Sequence, residues 1–131
     1  IMVVFVTNTD TFPNRKLLVK DLLKCFPSIK TIIQNVNTRD TNVILGEKEM
    51  VLFGSGYIED ILMGVRFKIS SKSFYQVNPI QTEILYSKAI ELADLKKTDR
   101  ILDAYCGIGT IGLIASKNGK DSISPTVPPI S

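Results

Sequence analysis

The residues best suited to chemistry are Asp103, Tyr105, Gly107, Gly109 and Gly112. The short apolar run Ile101-Leu102 closes on Asp103, a glycine-rich turn follows, and Ile111, Leu113, Ile114 and Ala115 resume an apolar pattern. This order reads as strand, tight loop, then helix. Gly107 and Gly109 fall where the backbone must bend sharply and let a ligand come close. Gly107, Gly109 and Gly112 also satisfy the G-x-G-x-x-G spacing of a dinucleotide fingerprint, so two ligand classes compete. Charge separates them. A dinucleotide lays its pyrophosphate over the helix N-terminus, where a carboxylate at the end of the preceding strand repels it. S-adenosylmethionine carries a sulfonium and an ammonium, which Asp103 attracts. The face of Tyr105 adds a cation–π attraction of about 0.5–2 kcal/mol. The blander alternatives are a ligand-free strand-to-helix turn and an Asp103 that only stabilises that turn.

Composition narrows the remaining classes. The chain has 131 residues and a formal net charge of +3. That length suffices for one modest domain or two incomplete ones. The basic excess is compatible with nucleic acid but too small to argue for it. Cys25 and Cys106 lie far apart, with no C-x-x-C and no histidine in the sequence. That pattern argues against zinc or iron–sulfur sites and against a histidine base. No apolar stretch is long enough to span a bilayer, and residues 1–6 lack the charged start and cleavage site of a signal peptide, so the expected location is cytoplasmic.

The elements that must position the loop follow from the rest of the pattern. Residues 2–6 form a β-branched run read as a buried strand. Pro13 and Asn14 start a helix whose apolar face is Leu17, Leu18, Val19, Leu22, Leu23 and Phe26. Lys16, Lys20 and Lys24 repeat at a spacing of four on its other side and read as a solvated face in preference to an RNA-facing stripe. Strands are expected at 29–36, at 42–45 and 49–53 as a hairpin turning on Gly46-Glu47-Lys48, and at 57–62 and 65–69 around Gly64. A second helix is marked by Asn78 as N-cap, Pro79 at its first position and Gln81 reaching back. Its expected buried face is Ile84, Leu85, Ala89, Leu92 and Ala93, with Lys96-Lys97 near its end matching the helix dipole.

The motifs S-F-Y-Q-V-N at 73–78, Q-T-E-I-L-Y at 81–86 and D-A-Y-C-G-I-G-T at 103–110, in that order, resemble the RNA uracil-5-methyltransferases. Residues 33–37 and 42–46 resemble that family's central domain, so the likeness reaches to about Lys117. The resemblance implies an α/β protein: a mixed α+β central domain at 1–73, then the first unit of a Rossmann-like class I methyltransferase domain at 74–117, with the boundary near 70–78. It implies S-adenosyl-L-methionine as methyl donor and carbon 5 of uridine as the position methylated, in ribosomal or transfer RNA, with 23S ribosomal RNA favoured. Carried over by position, Gln76 matches a glutamine that contacts the donor and Tyr105 an aromatic of the donor pocket. Thr110 stands at the family's polar helix start. With Asp103, Gly107 and Gly109 they make up the expected donor site. Phe74 is a candidate for stacking on a base, although a buried aromatic joining the two domains is the favoured role. Tyr86 and Glu83 are assigned to helix surface or packing.

The family's nucleophile is a cysteine thiolate that adds to carbon 6 of the uracil, and a separate carboxylate later removes the carbon 5 proton. Cys106 lies inside the donor loop, where a small side chain suits close packing, so no catalytic residue is expected in this chain. After Lys117 the sequence N-G-K-D-S-I-S-P-T-V-P-P-I-S resembles neither the family nor a strand. Residues 118–131 are therefore expected to be a non-family tail, disordered or foreign in origin. A piece of this kind is expected to be inactive alone and to expose apolar surface that a second copy covers, giving dimers or helix exchange. A non-catalytic RNA-binding or interaction module is the alternative from another functional class.

Overall fold

A computed structural model of the chain describes residues 1–117 and the backbone of 122–123. Its elements are β1 (Met2–Thr7), α1 (Arg15–Cys25), β2 (Thr31–Val36), β3 (Lys48–Gly54), β4 (Tyr57–Leu62), β5 (Val65–Ser70), α2 (Pro79–Ala93), β6 (Ile101–Leu102), α3 (Thr110–Ser116) and β7 (Ser122–Ile123). The mixture of short sheets and three helices is of the α/β class. Two compact units emerge: Ile1–Ile58 with Lys68–Lys72, and Glu59–Phe67 with Ser73–Ser131. The chain changes unit between Lys72 and Ser73. It also makes an excursion at Glu59–Phe67 that a single boundary does not anticipate.

In the first unit, β2 is the middle strand of a three-stranded sheet, parallel to β1 and antiparallel to β3. The parallel pair needs a crossover, which α1 supplies. All six residues of β2 are buried. Ile32 and Ile33 are apolar, but Thr31, Gln34 and Asn35 are buried as deeply, so each must find partners inside the protein. Thr31 Oγ1 donates to Phe53 O at 2.8 Å and accepts from Gly56 N at 2.9 Å. Gln34 Nε2 donates to Thr7 Oγ1, Thr9 O and Asp10 O, while its Oε1 accepts from Arg15. Asn35 accepts from Gly46 N at 2.6 Å and donates to Gly46 O and to Glu49 Oε1, both at 2.9 Å.

That asparagine explains a correction. The hairpin expected from 42–45 and 49–53 does not form; residues 42–45 are not a strand, and β3 pairs with β2. The side chains of Asn35 and Asn37 take the backbone groups a ladder would have used: Asn37 Nδ2 donates to Val43 O and Ile44 O at 2.7 and 3.0 Å. Gly46 comes so close to β2 that a Cβ there would lie 1.9 Å from Val36 O.

Helix α1 starts where expected, with Asn14 in the left-handed region at φ 55°. Only part of its apolar face is covered. Val19, Leu22 and Leu23 are half-buried, whereas Leu17, Leu18 and Phe26 are exposed. Strands β4 and β5 form where expected but make a two-stranded sheet of their own, joined by a tight turn at Met63-Gly64, both with positive φ (48° and 74°), the backbone signature of a two-residue hairpin.

Asn35→Ala removes one acceptor and two donor bonds at a fully buried position and leaves Gly46 unsatisfied. It is expected to cost about 2–4 kcal/mol in urea unfolding, whereas Asn14→Ala, whose side chain makes no cap bond, costs about 1 kcal/mol or less. Equal losses for the two variants would show that the clamp on Gly46 is not what organises this unit.

Candidate functional site

Every residue assigned to the donor site lies in the second unit. Helix α2 begins as its sequence dictates: Pro79 occupies the first turn, and Asn78 Oδ1 accepts from Gln81 N at 3.1 Å. Thr82 Oγ1 adds a back-bond of its own, donating to Asn78 O at 2.7 Å, and among the described residues no bond runs from the Gln81 side chain back to Asn78. The buried face is rotated from the one expected. Thr82 and Tyr86 are buried, with Ala89 and Ile90 half-covered, while Ile84, Leu85 and Leu92 are exposed. The helix ends at Ala93 with Asp94 in the left-handed region, so Lys96 and Lys97 lie beyond its last turn.

Strand β6, the loop and α3 realise the strand–loop–helix reading. Gly107 and Gly109 adopt φ 55° and 79°, values that favour glycine, and Gly109 is the N-cap of α3. Gly109 N donates to Cys106 O at 2.7 Å, which folds the loop into a turn. Asp103 Oδ2 accepts from Gly112 N at 3.2 Å, so the half-buried carboxylate ties the end of β6 to the first turn of α3. This is the turn-stabilising role. Among the described residues, only Oδ2 of that carboxylate has a partner. A Cβ on Gly107 would stand in open space, so it is the backbone conformation, not crowding, that calls for glycine there. The loop therefore presents main chain outward, and Tyr105 stands on it 94% exposed.

Thr110, first residue of α3, has its Oγ1 3.0 Å from the hydroxyl of Tyr86. Gln76 is half-buried, and among the described residues no hydrogen bond joins Gln76 or Tyr105 to the rest of the set. The structure thus links Asp103, Gly109 and Thr110 to one loop, and leaves Gln76 on the segment before α2. Phe74 is 76% exposed, which corrects its favoured assignment as a buried aromatic. The aromatic that packs is its neighbour Tyr75, against Phe67 with ring centroids 6.3 Å apart. Cys106 is half-buried with Sγ 3.7 Å from Gly107 O, and Cys25 is exposed on α1.

Two groups were missed by sequence reasoning. Tyr86, assigned to helix surface or packing with no chemical role, packs inward; its spacing of four from Thr82 and eight from Asn78 marks the true inner face of α2. The second is Tyr75, whose hydroxyl is buried without a partner in hydrogen-bond geometry. Burial first, and then the Asp60 carboxylate acting on it, pushes its pKa up to about 12. A largely apolar gap of about 230 Å³ lies between α2, β6 and α3, lined by Ala89, Ala93, Leu102, Asp103, Ile111 and Gly112 among others. Its volume falls short of the roughly 300–1,000 Å³ of small-molecule sites. Among the described residues no cluster could hold a metal ion, and no helix is long and apolar enough to cross a membrane.

Because the folded state favours the neutral phenol of Tyr75, the stability it contributes is whole below pH ~10 and is lost as pH rises toward 12. Titrating phenolate absorbance should show one of the four tyrosines lagging the others. Tyr75→Phe is expected to remove that late step without lowering the melting temperature, since it deletes only an unpartnered hydroxyl. A late step that survives the substitution assigns it elsewhere.

No family model matches the chain. It is 51% identical over 120 residues to a protein named RNA methyltransferase from Oceanobacillus iheyensis. It is also 52% identical to one from Clostridium acetobutylicum and 49% to one from Bacillus cereus, in each case over 92% of this chain and 26% of the relative. The chain spans about a quarter of the length of the curated relatives it matches. Among solved structures it superposes on the tRNA (uracil-54, C5)-methyltransferase of Pyrococcus abyssi, in complex with S-adenosyl-L-homocysteine. The TM-score is 0.70 at 28% identity, covering 94% of this chain and 28% of that one. The chain is therefore similar to a segment of proteins named RNA methyltransferases and, in structure, to a segment of a tRNA uracil-C5 methyltransferase, in agreement with the family resemblance of its sequence.

Proposed function

We propose that this chain carries part of the methyl-donor site of an S-adenosylmethionine-dependent RNA methyltransferase acting on carbon 5 of uridine. The observation that carries the reading is the half-buried Asp103 carboxylate, fixed through one oxygen to Gly112 N at the mouth of a loop that presents open main chain. The residues present suit the donor. Asp103 balances positive charge, the exposed ring of Tyr105 offers a cation–π face, and Gln76 and Thr110 supply an amide and a hydroxyl. Gly107 and Gly109 keep side chains out of the approach. When bound, S-adenosylmethionine supplies a methyl group made electrophilic by its sulfonium.

Support from outside the chain is of two kinds: relatives named RNA methyltransferases, and a solved uracil-C5 methyltransferase holding S-adenosyl-L-homocysteine. Domain limits of 1–73 and 74–117 follow the same reading. Neither cysteine is placed as a nucleophile. Cys106 is held within the loop it helps to close, and Cys25 lies in the first unit on an exposed helix end. Neither cysteine is therefore assigned the attack on uracil, and the chain alone is expected not to transfer labelled methyl groups to ribosomal or transfer RNA.

Calorimetric titration with S-adenosyl-L-homocysteine tests the donor site. The wild-type chain is expected to bind it and not NADH, and Asp103→Ala to weaken binding about tenfold or more. NADH binding as well as or better than the homocysteine nucleoside overturns the reading. Salt-dependent RNA binding with no donor binding would instead favour the non-catalytic RNA-binding module.

A further inference from the structure

We propose that Tyr86 is a positioning residue for the donor loop, holding the Thr110 hydroxyl from beneath so that its proton is directed outward to a ligand oxygen. The inference rests on the donor-site reading above. Tyr86 is 7% exposed, in the middle of α2, and its hydroxyl lies 3.0 Å from Thr110 Oγ1. Thr110 follows Gly109 directly, at the point where the loop becomes α3. A phenol is a stronger acid and a poorer acceptor than an alkyl alcohol, so Tyr86 donates and Thr110 accepts. The Thr110 proton is then left to donate elsewhere.

The arrangement also settles a rotamer. A threonine inside a helix divides between two χ1 wells because its oxygen can turn back to a carbonyl one turn earlier. The bond to Tyr86 selects one orientation before any ligand arrives. The platform is itself fixed: one turn earlier Thr82 is bonded to Asn78 O, and the neighbouring Glu83 accepts from Met63 N at 3.3 Å. Preorganisation of this kind lowers the ordering cost of binding and adds no contact of its own.

The test is a double-mutant cycle on S-adenosyl-L-homocysteine affinity in the full chain, with Tyr86→Phe, Thr110→Val and both together. Each single change is expected to weaken binding about three- to tenfold, the range of one neutral hydrogen bond. The double variant should bind no more weakly than Thr110→Val alone, and Thr110→Ser should restore affinity. Melting temperatures report packing separately. Phe keeps the volume of Tyr86, so a merely structural role lowers stability and leaves affinity unmoved. Wild-type affinity in Tyr86→Phe, or losses that multiply in the double variant, overturn the proposal. Should Tyr86→Phe fail to fold, Thr110→Val decides, and unchanged affinity there overturns it equally. A wild-type chain that does not bind the nucleoside at all fails before any substitution is made, and then the donor-site reading falls first and this inference with it.

Discussion

The hydrogen bond from Gly112 N to Asp103 Oδ2 is the constraint on which the second unit depends. A helix start leaves main-chain N–H groups without partners, and a loop that turns through left-handed glycines has no regular ladder to hold its shape. One carboxylate answers both needs. It satisfies a donor in the first turn of α3, and it fixes the separation between the end of β6 and that turn. With Gly109 N closing on Cys106 O, the residues between are confined to one path. The exposure of Tyr105 and the openness in front of Gly107 are consequences of that path.

The first unit solves the same problem with amides. Its central strand carries three polar side chains with no measurable exposure, an arrangement that costs several kcal/mol unless every group is met. Thr31, Gln34 and Asn35 meet theirs by capturing main chain at and beyond the sheet's margins: the end of β3 at Phe53 with Gly56 just after it, the turn after β1, and the approach of Gly46. Polar burial there specifies where irregular backbone runs, which apolar burial cannot do because it is non-directional.

These devices decide what was legible in the residues. Strands β1, β2, β4 and β5 followed from β-branched runs and glycine punctuation, and the start of α2 from Asn78 and Pro79, because those signals are local. The strand–loop–helix at 101–116 was legible for the same reason. What failed depended on partners distant in sequence. Residues 42–45 have strand-like composition, yet Asn37 takes their carbonyls. The inner face of α2 was set at Ile84 and Leu85 by hydrophobicity alone, whereas the buried positions are a threonine and a tyrosine whose hydroxyls have partners. Phe74 and Tyr75 alternate on an extended segment, and nothing local says which of two adjacent aromatics packs. The tail was expected to hold no strand. Ser122–Ile123 nevertheless pairs parallel with Ile101–Leu102, while the other residues after Lys117 lie outside those described.

The two roles weighed for Asp103, stabilising a turn and attracting a cationic nucleoside, do not compete. A carboxylate has two oxygens and about four lone-pair directions, and the bond to Gly112 uses one of them. That bond fixes the orientation of the group and leaves the second oxygen without a partner among the described residues, already ordered at no further entropic cost. A charged group that is already ordered repels a pyrophosphate as firmly as it attracts a sulfonium. Under the proposed donor-site reading, stabilising the turn is what would let the carboxylate discriminate between the two ligand classes that the glycine spacing alone leaves equal.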